Sequence, residues 1–131
     1  MKTLIVEDDF TSRVLLQELL KEHGPAHLAV NGTAAVAAVR AALAADAPFD
    51  LVCLDIMMPE MDGMEALRQI RALEQAANIP PARRTRIVIT TVLADMQHIC
   101  DAYSNLCDAY LVKPIHHAKL TGILRKQNLI V

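Results

Sequence analysis

The chain has 131 residues, enough for one domain, and 53% hydrophobic against 21% charged residues is a balance for a packed core rather than a disordered chain. Aromatics make up only 3% and Trp is absent, so the core must be aliphatic, which argues against a site of stacked aromatic platforms such as a flavin or single-stranded nucleic-acid pocket. A net charge of −2, with only Arg83, Arg84 and Arg86 as a small basic cluster, argues against direct nucleic-acid binding.

The three Cys residues form no CxxC pair, as expected of reduced thiols in a cytoplasmic protein. The first element is the short apolar run Thr3, Leu4, Ile5 and Val6, which stops at the acidic cluster Glu7, Asp8 and Asp9. That run is too short for a signal peptide, and no later stretch approaches the length of a membrane helix. Leu16, Leu19, Leu20 and His23 then fall at i, i+3, i+4 and i+7, one face of a helix that Gly24-Pro25 ends. Residues 27–30 read as a second strand, closed by the turn pair Asn31-Gly32. The Ala-rich residues 33–45 predict a helix, with Ala47-Pro48 just past its end.

The run from Asp50 to Asp55 is apolar throughout between its two Asp residues, which suits a central strand of a parallel sheet covered on both faces. Met58-Pro59-Glu60-Met61 breaks the pattern. Asp62, with Glu65 three residues later, predicts a capping box for a helix that uses Met64, Leu67 and Ile70 and fades near Asn78. Pro80-Pro81 and the Arg cluster read as a loop, and residues 86–91 as a fourth strand. Met96, Ile99, Cys100 and Tyr103 predict a fourth helix. Residues 108–112 read as a fifth strand and residues 115–126 as a last helix with Arg125 and Lys126 in its final turn. Strict alternation of strand and helix predicts an α/β fold, a single doubly wound (βα)5 domain over residues 1–131 with a parallel sheet, right-handed crossovers and no output domain.

Ligands of such sheets bind outside the carboxyl ends of the strands. The strand ends here carry Glu7, Asp8 and Asp9, then Asp55, then Thr90 and Thr91, with Lys113-Pro114 after the fifth strand. Clustered carboxylates repel one another, and such a rim calls for a cation. Mg²⁺ suits oxygen ligands of this kind, and no Cys or His stands at a strand end in a zinc-binding spacing. A carboxylate beside Mg²⁺ can act as a nucleophile toward phosphorus, with the metal and a lysine neutralising charge on the transferring group.

These pieces, in this order, resemble the receiver domains of two-component response regulators, the small chemotaxis regulators among them. The matching segments are Leu4-Ile5-Val6-Glu7-Asp8-Asp9, Asp55-Ile56-Met57-Met58-Pro59-Glu60-Met61-Asp62-Gly63, Ile87-Val88-Ile89-Thr90-Thr91 and Tyr110-Leu111-Val112-Lys113-Pro114. The resemblance implies a flavodoxin-like strand order of 2-1-3-4-5. It makes Asp55 the phosphoacceptor and Asp8 a direct Mg²⁺ ligand, with Glu7 the second acidic residue and Met57 offering its backbone carbonyl. Arg13 matches a basic residue common five positions after the metal-binding Asp, which places Asp9 just past the metal pair. Thr91, rather than Thr90, matches the hydroxyl that bonds the phosphoryl oxygen, Lys113 pairs with the phosphate, and Lys113-Pro114 matches a cis peptide. Thr90 reads as structural.

The switch that the resemblance implies draws Thr91 and Lys113 toward the phosphate and lets Tyr110 turn inward, which reshapes a partner-binding face made by residues 95–103, Tyr110 and residues 116–125. The implied partners are a histidine kinase or phosphotransfer protein and a downstream effector, with no membrane partner; dimerisation through the fourth helix, fifth strand and fifth helix stays open. The chain is then no enzyme on an outside substrate, but assists its own phosphorylation and dephosphorylation.

Three features depart from the family pattern. Val92 stands where a small residue is usual, Leu106-Cys107 replaces a common Gly-Ala, and residues 76–85 are longer than usual. Val92 and Leu106-Cys107 keep alive a second reading, a phosphate-independent interaction module that retains the fold, against which the intact Glu7, Asp8, Asp55, Thr91 and Lys113 set argues. A third, a phosphate-transferring enzyme acting on a small molecule, lacks a recognisable specificity element or lid. His98, Cys100, His116 and His117 do not make a metal site on spacing, since residues two apart on a helix do not face each other. Cys53 reads as a small core residue.

Overall fold

Five short runs of aliphatic residues become five parallel strands. In the computed structural model these are β1 (Thr3–Val6), β2 (Ala26–Ala29), β3 (Leu51–Asp55), β4 (Arg86–Thr91) and β5 (Ala109–Val112). The described residues are 1–58, 61–92, 97 and 105–131. The strands form one sheet in the order β2-β1-β3-β4-β5, the doubly wound order. The helices are α1 (Phe10–Leu20), α2 (Gly32–Ala44), α3 (Gly63–Ala76) and α4 (His117–Lys126), so α4 is the last element rather than the predicted fourth helix. That predicted helix, with Met96, Ile99, Cys100 and Tyr103, lies outside the described residues, as does His98.

The two-residue side-chain period of a strand divides the core. On one face Leu4, Val6, Val52, Leu54, Ile87 and Ile89 pack with α2 and α3. On the other Ile5, Cys53, Val88 and Leu111 pack with Leu16 and Leu20 of α1 and Leu120 and Leu124 of α4. The fully buried β3 has both faces covered, as its unbroken apolar run requires. Cys53 is a buried free thiol within this core, and burial pushes it up to about 12. Among the described residues no helix is long and apolar enough to cross a membrane.

Helix starts follow the expected chemistry with small shifts. Asn31 caps α2 by accepting the Ala34 N–H at 2.7 Å, so β2 stops at Ala29 and does not include Val30. Asp62 caps α3 by accepting the Glu65 N–H at 2.8 Å. The reciprocal half of the capping box is absent, because the Glu65 carboxylate turns to Arg68 and Gln69. Gly63 follows directly, and a Cβ there would collide with the Asp55 carbonyl and Ile56 Cα, so only glycine lets α3 approach the end of β3 this closely. The last helix begins at His117 rather than at Ile115, whose side chain is buried in the core. The segment before β4 holds a short 3₁₀ turn, Pro81–Arg83.

Candidate functional site

Strand alternation and register build the site. Val6 pairs with Leu54 and Asp55 with Thr90, so the carboxyl ends of β1, β3 and β4 finish level. Two residues beyond the packed Ile5 and Cys53, the same face carries Glu7 and Asp55. Glu7 is fully buried and Asp55 is 4% exposed, while Asp8, on the alternate side, is exposed. One carboxylate oxygen from each of Glu7, Asp8 and Asp55 lies within 4.8 Å of the others. Asp9, next in sequence, leaves this cluster to cap α1, accepting the Ser12 N–H at 2.9 Å. That bond holds its carboxyl below the usual carboxylate range.

Lys113 reaches across the sheet to this cluster. Its Nζ lies 2.9 Å from Glu7 Oε2 and 3.6 Å from Asp55 Oδ1. The Lys113–Pro114 peptide bond is cis. Burial pulls the lysine's pKa down, but the hydrogen bond to Glu7 and the charges of Asp55 and Glu7 outweigh it and leave the pKa raised. Asp55 moves the other way from an ordinary carboxylate. Burial first, then the hydrogen bond and charge of Glu7, push it up to about 7, with Lys113 and the Met57 N–H offsetting only part. Met57 donates that N–H to Asp55 Oδ1 at 3.2 Å, while its side chain is exposed. Three carboxylates held against one ammonium form an undercompensated, hard-oxygen donor set, which suits a hard divalent cation such as Mg²⁺.

The remaining residues named from the sequence frame this cluster. Thr91 ends β4, buried, and its hydroxyl donates to the Val92 carbonyl at 3.4 Å rather than to Asp55. Tyr110 pairs in register with Ile89, is half-buried, and packs against the α2–α3 side of the core, the face that Thr91 shares by alternation. Val92 is 47% exposed beside Thr91, at the mouth of the site. Arg13 donates to the Glu7 carbonyl at 3.2 Å, a backbone contact that fixes the end of β1. His116 and His117 are exposed and take no part in the acidic cluster.

The model of the response regulator receiver domain matches residues 3–125. The chain belongs to this family. It is a receiver domain of two-component signalling, with the chemistry of a phosphoacceptor switch as the family's frame. The receiver is 36% identical over 124 residues to the transcriptional regulatory protein ZraR of Salmonella typhimurium, covering 94% of this chain and 25% of that protein. It is 34% identical over 126 residues to the sensor histidine kinase GacS of Pseudomonas protegens, covering 95% of this chain and 13% of that protein. The chain thus spans a quarter or less of these curated relatives. Among solved structures, the receiver domain of the sensor histidine kinase PA1611 from Pseudomonas aeruginosa PAO1 superposes with a TM-score of 0.76 at 26% identity, covering 96% of this chain and 95% of that one. That structure holds a magnesium ion coordinated in its active-site cleft.

Sequence reasoning missed one charged network altogether, at the opposite end of the sheet. Arg71, Glu74, Arg84 and Asp108 join α3 to the starts of β4 and β5. The pair Arg71 and Glu74, three apart on one helix, was the available signal.

Proposed function

We propose that Asp55 of this receiver accepts a phosphoryl group from a histidine kinase or phosphotransfer protein, with Mg²⁺, and that this alters a partner-binding face. The observation that supports it most strongly is the Glu7–Asp8–Asp55 cluster with Lys113 across it. An Asp55 Oδ attacks phosphorus, the N–P bond of the phosphohistidine breaks, and its electron pair leaves on the imidazole nitrogen, which takes a proton from solvent. The carboxylates of Glu7, Asp8 and Asp55 and the Met57 carbonyl would hold Mg²⁺. The chemistry that ion supplies when bound is neutralisation of charge on the transferring oxygens.

Lys113 stands ready to exchange its bond with Glu7 for one with the phosphoryl group. The Thr91 hydroxyl gives up only a long bond to the Val92 carbonyl if it turns to the phosphoryl oxygens. Tyr110 shares the face of Thr91, so displacement of the threonine opens room beside it. In this reading the phosphate biases a two-state equilibrium by contacts it makes in one state only. The effector then reads the surface carrying Tyr110 and α4. The chain acts on no outside substrate and assists only its own phosphorylation and dephosphorylation.

Intact mass after incubation with Mg²⁺ and acetyl phosphate tests the reading. One added phosphoryl group in the wild type and none in Asp55→Asn is expected. No addition from acetyl phosphate or any phosphohistidine donor would overturn it.

A further inference from the structure

One buried polar group on the face of the acceptor has no task in this scheme. Thr90 is 1% exposed, and its Oγ1 is buried with no hydrogen-bond partner among the described residues. A hydroxyl shut from water without a partner is less favourable than the methyl group of valine in the same place. Cys53, Val88 and Leu111 on the same face are apolar, so packing against them would favour valine.

The register shows where this hydroxyl sits. Thr90 is the direct partner of Asp55 on β3 and of Leu111 on β5. Cys53, Val88 and Leu111 pack together, and the residues two further on, Asp55, Thr90 and Lys113, therefore share their face. Lys113, just past the end of β5, reaches Asp55 on β3, so its side chain crosses over β4, the strand between them, which carries Thr90. The hydroxyl therefore lies on the face of the sheet that carries the site, one strand from Asp55. Neighbouring strands are about 4.8 Å apart, so a change of Thr90 rotamer is enough to aim its donor at the Asp55 side chain.

We propose that Thr90 is a positioning residue for phosphoryl transfer, its hydroxyl donating to the Asp55 oxygen that is not bonded to phosphorus. The proposal rests on Asp55 being the acceptor. As one Asp55 oxygen bonds phosphorus, the other remains a carbonyl with free lone pairs. Thr90, the in-register neighbour of Asp55 on β4, offers it a donor. The Thr90 hydroxyl, without a partner among the described residues, is then a contact kept for the transfer step and the acyl phosphate.

The test pairs Thr90→Val with Thr90→Ser. Initial rates of phosphorylation by acetyl phosphate with Mg²⁺ are read beside melting temperatures without it. Thr90→Val is expected to react more slowly by on the order of five-fold, the value of one hydrogen bond, while melting no lower than the wild type. Thr90→Ser is expected to keep the wild-type rate. A Thr90→Val protein as fast as the wild type, or Thr90→Ser as slow as Thr90→Val, would overturn the proposal. Should Thr90→Val not fold, Thr90→Ala against Thr90→Ser reads the same difference. A wild type that takes no phosphoryl group at all sinks the acceptor reading itself, an outcome distinct from equal rates in wild type and variant.

Discussion

The two ends of the sheet carry charged clusters built from similar residues with opposite energetics. At the amino ends of the strands two guanidiniums meet two carboxylates. Arg71 bonds Glu74 at 2.6 Å, Asp108 at 3.0 Å and the carbonyls of Thr85 and Leu106, while Arg84 takes the other Asp108 oxygen. Backbone N–H groups of Thr85 and Ile87 complete the shells of Glu74 and Asp108. At the carboxyl ends Glu7, Asp8 and Asp55 share one ammonium, and Asp55 is pushed up to about 7. A balanced and fully bonded cluster pins α3, β4 and β5 together. An undercompensated one keeps free energy in reserve that a bound cation would release.

Breaking the balanced end is expected to have the largest effect. Arg71→Ala leaves Glu74 and Asp108 buried without their main partner and is expected to destabilise the protein by about 3–5 kcal/mol in urea unfolding. Relieving the other end is expected to stabilise. The folded pKa of Asp55 lies above its ordinary 3.8, so the folded state holds the proton more tightly and stability falls as pH rises from about 4 to about 7. Asp55→Asn removes that slope. Without divalent cations at pH 8 it is expected to be more stable than the wild type in urea unfolding, and to lose this advantage near pH 4. An equal pH dependence in both proteins would remove the contrast between the two ends.

Smaller effects sharpen the comparison. Val92 stands 47% exposed at the mouth of the site. Val92→Ala is expected to speed both phosphorylation by acetyl phosphate and loss of the phosphoryl group, and slower rates in the variant would contradict this. Asp9→Ala is expected to lower the melting temperature slightly through the lost α1 cap while leaving phosphoryl uptake intact, because Asp9 stands outside the acidic cluster.

The acidic end was legible in the sequence because strand ends converge by topology. Once residues 3–6, 50–55, 86–91 and 108–112 read as parallel strands, Glu7, Asp8, Asp55, Thr91 and Lys113 had to share one rim. The faces were legible only in part. Period-two alternation separates Thr90 from Thr91, but the register that sets Thr90 level with Asp55 exists only in the folded sheet. The balanced end was illegible because Arg71, Arg84 and Asp108 lie on separate elements, and Asp108 read merely as the start of a strand. The predicted capping box at Asp62 was half right: Glu65 had a choice between the backbone and Arg68, and took the charged partner.

The most direct test of the central claim locates the modification by residue. The protein is phosphorylated with a phosphohistidine donor and Mg²⁺, reduced with borohydride, which converts an aspartyl phosphate to homoserine, and fragmented in the mass spectrometer. Homoserine at position 55 and at no other position is expected. Homoserine at position 8 or elsewhere, or none from a competent donor, would contradict the assignment of Asp55 as the acceptor.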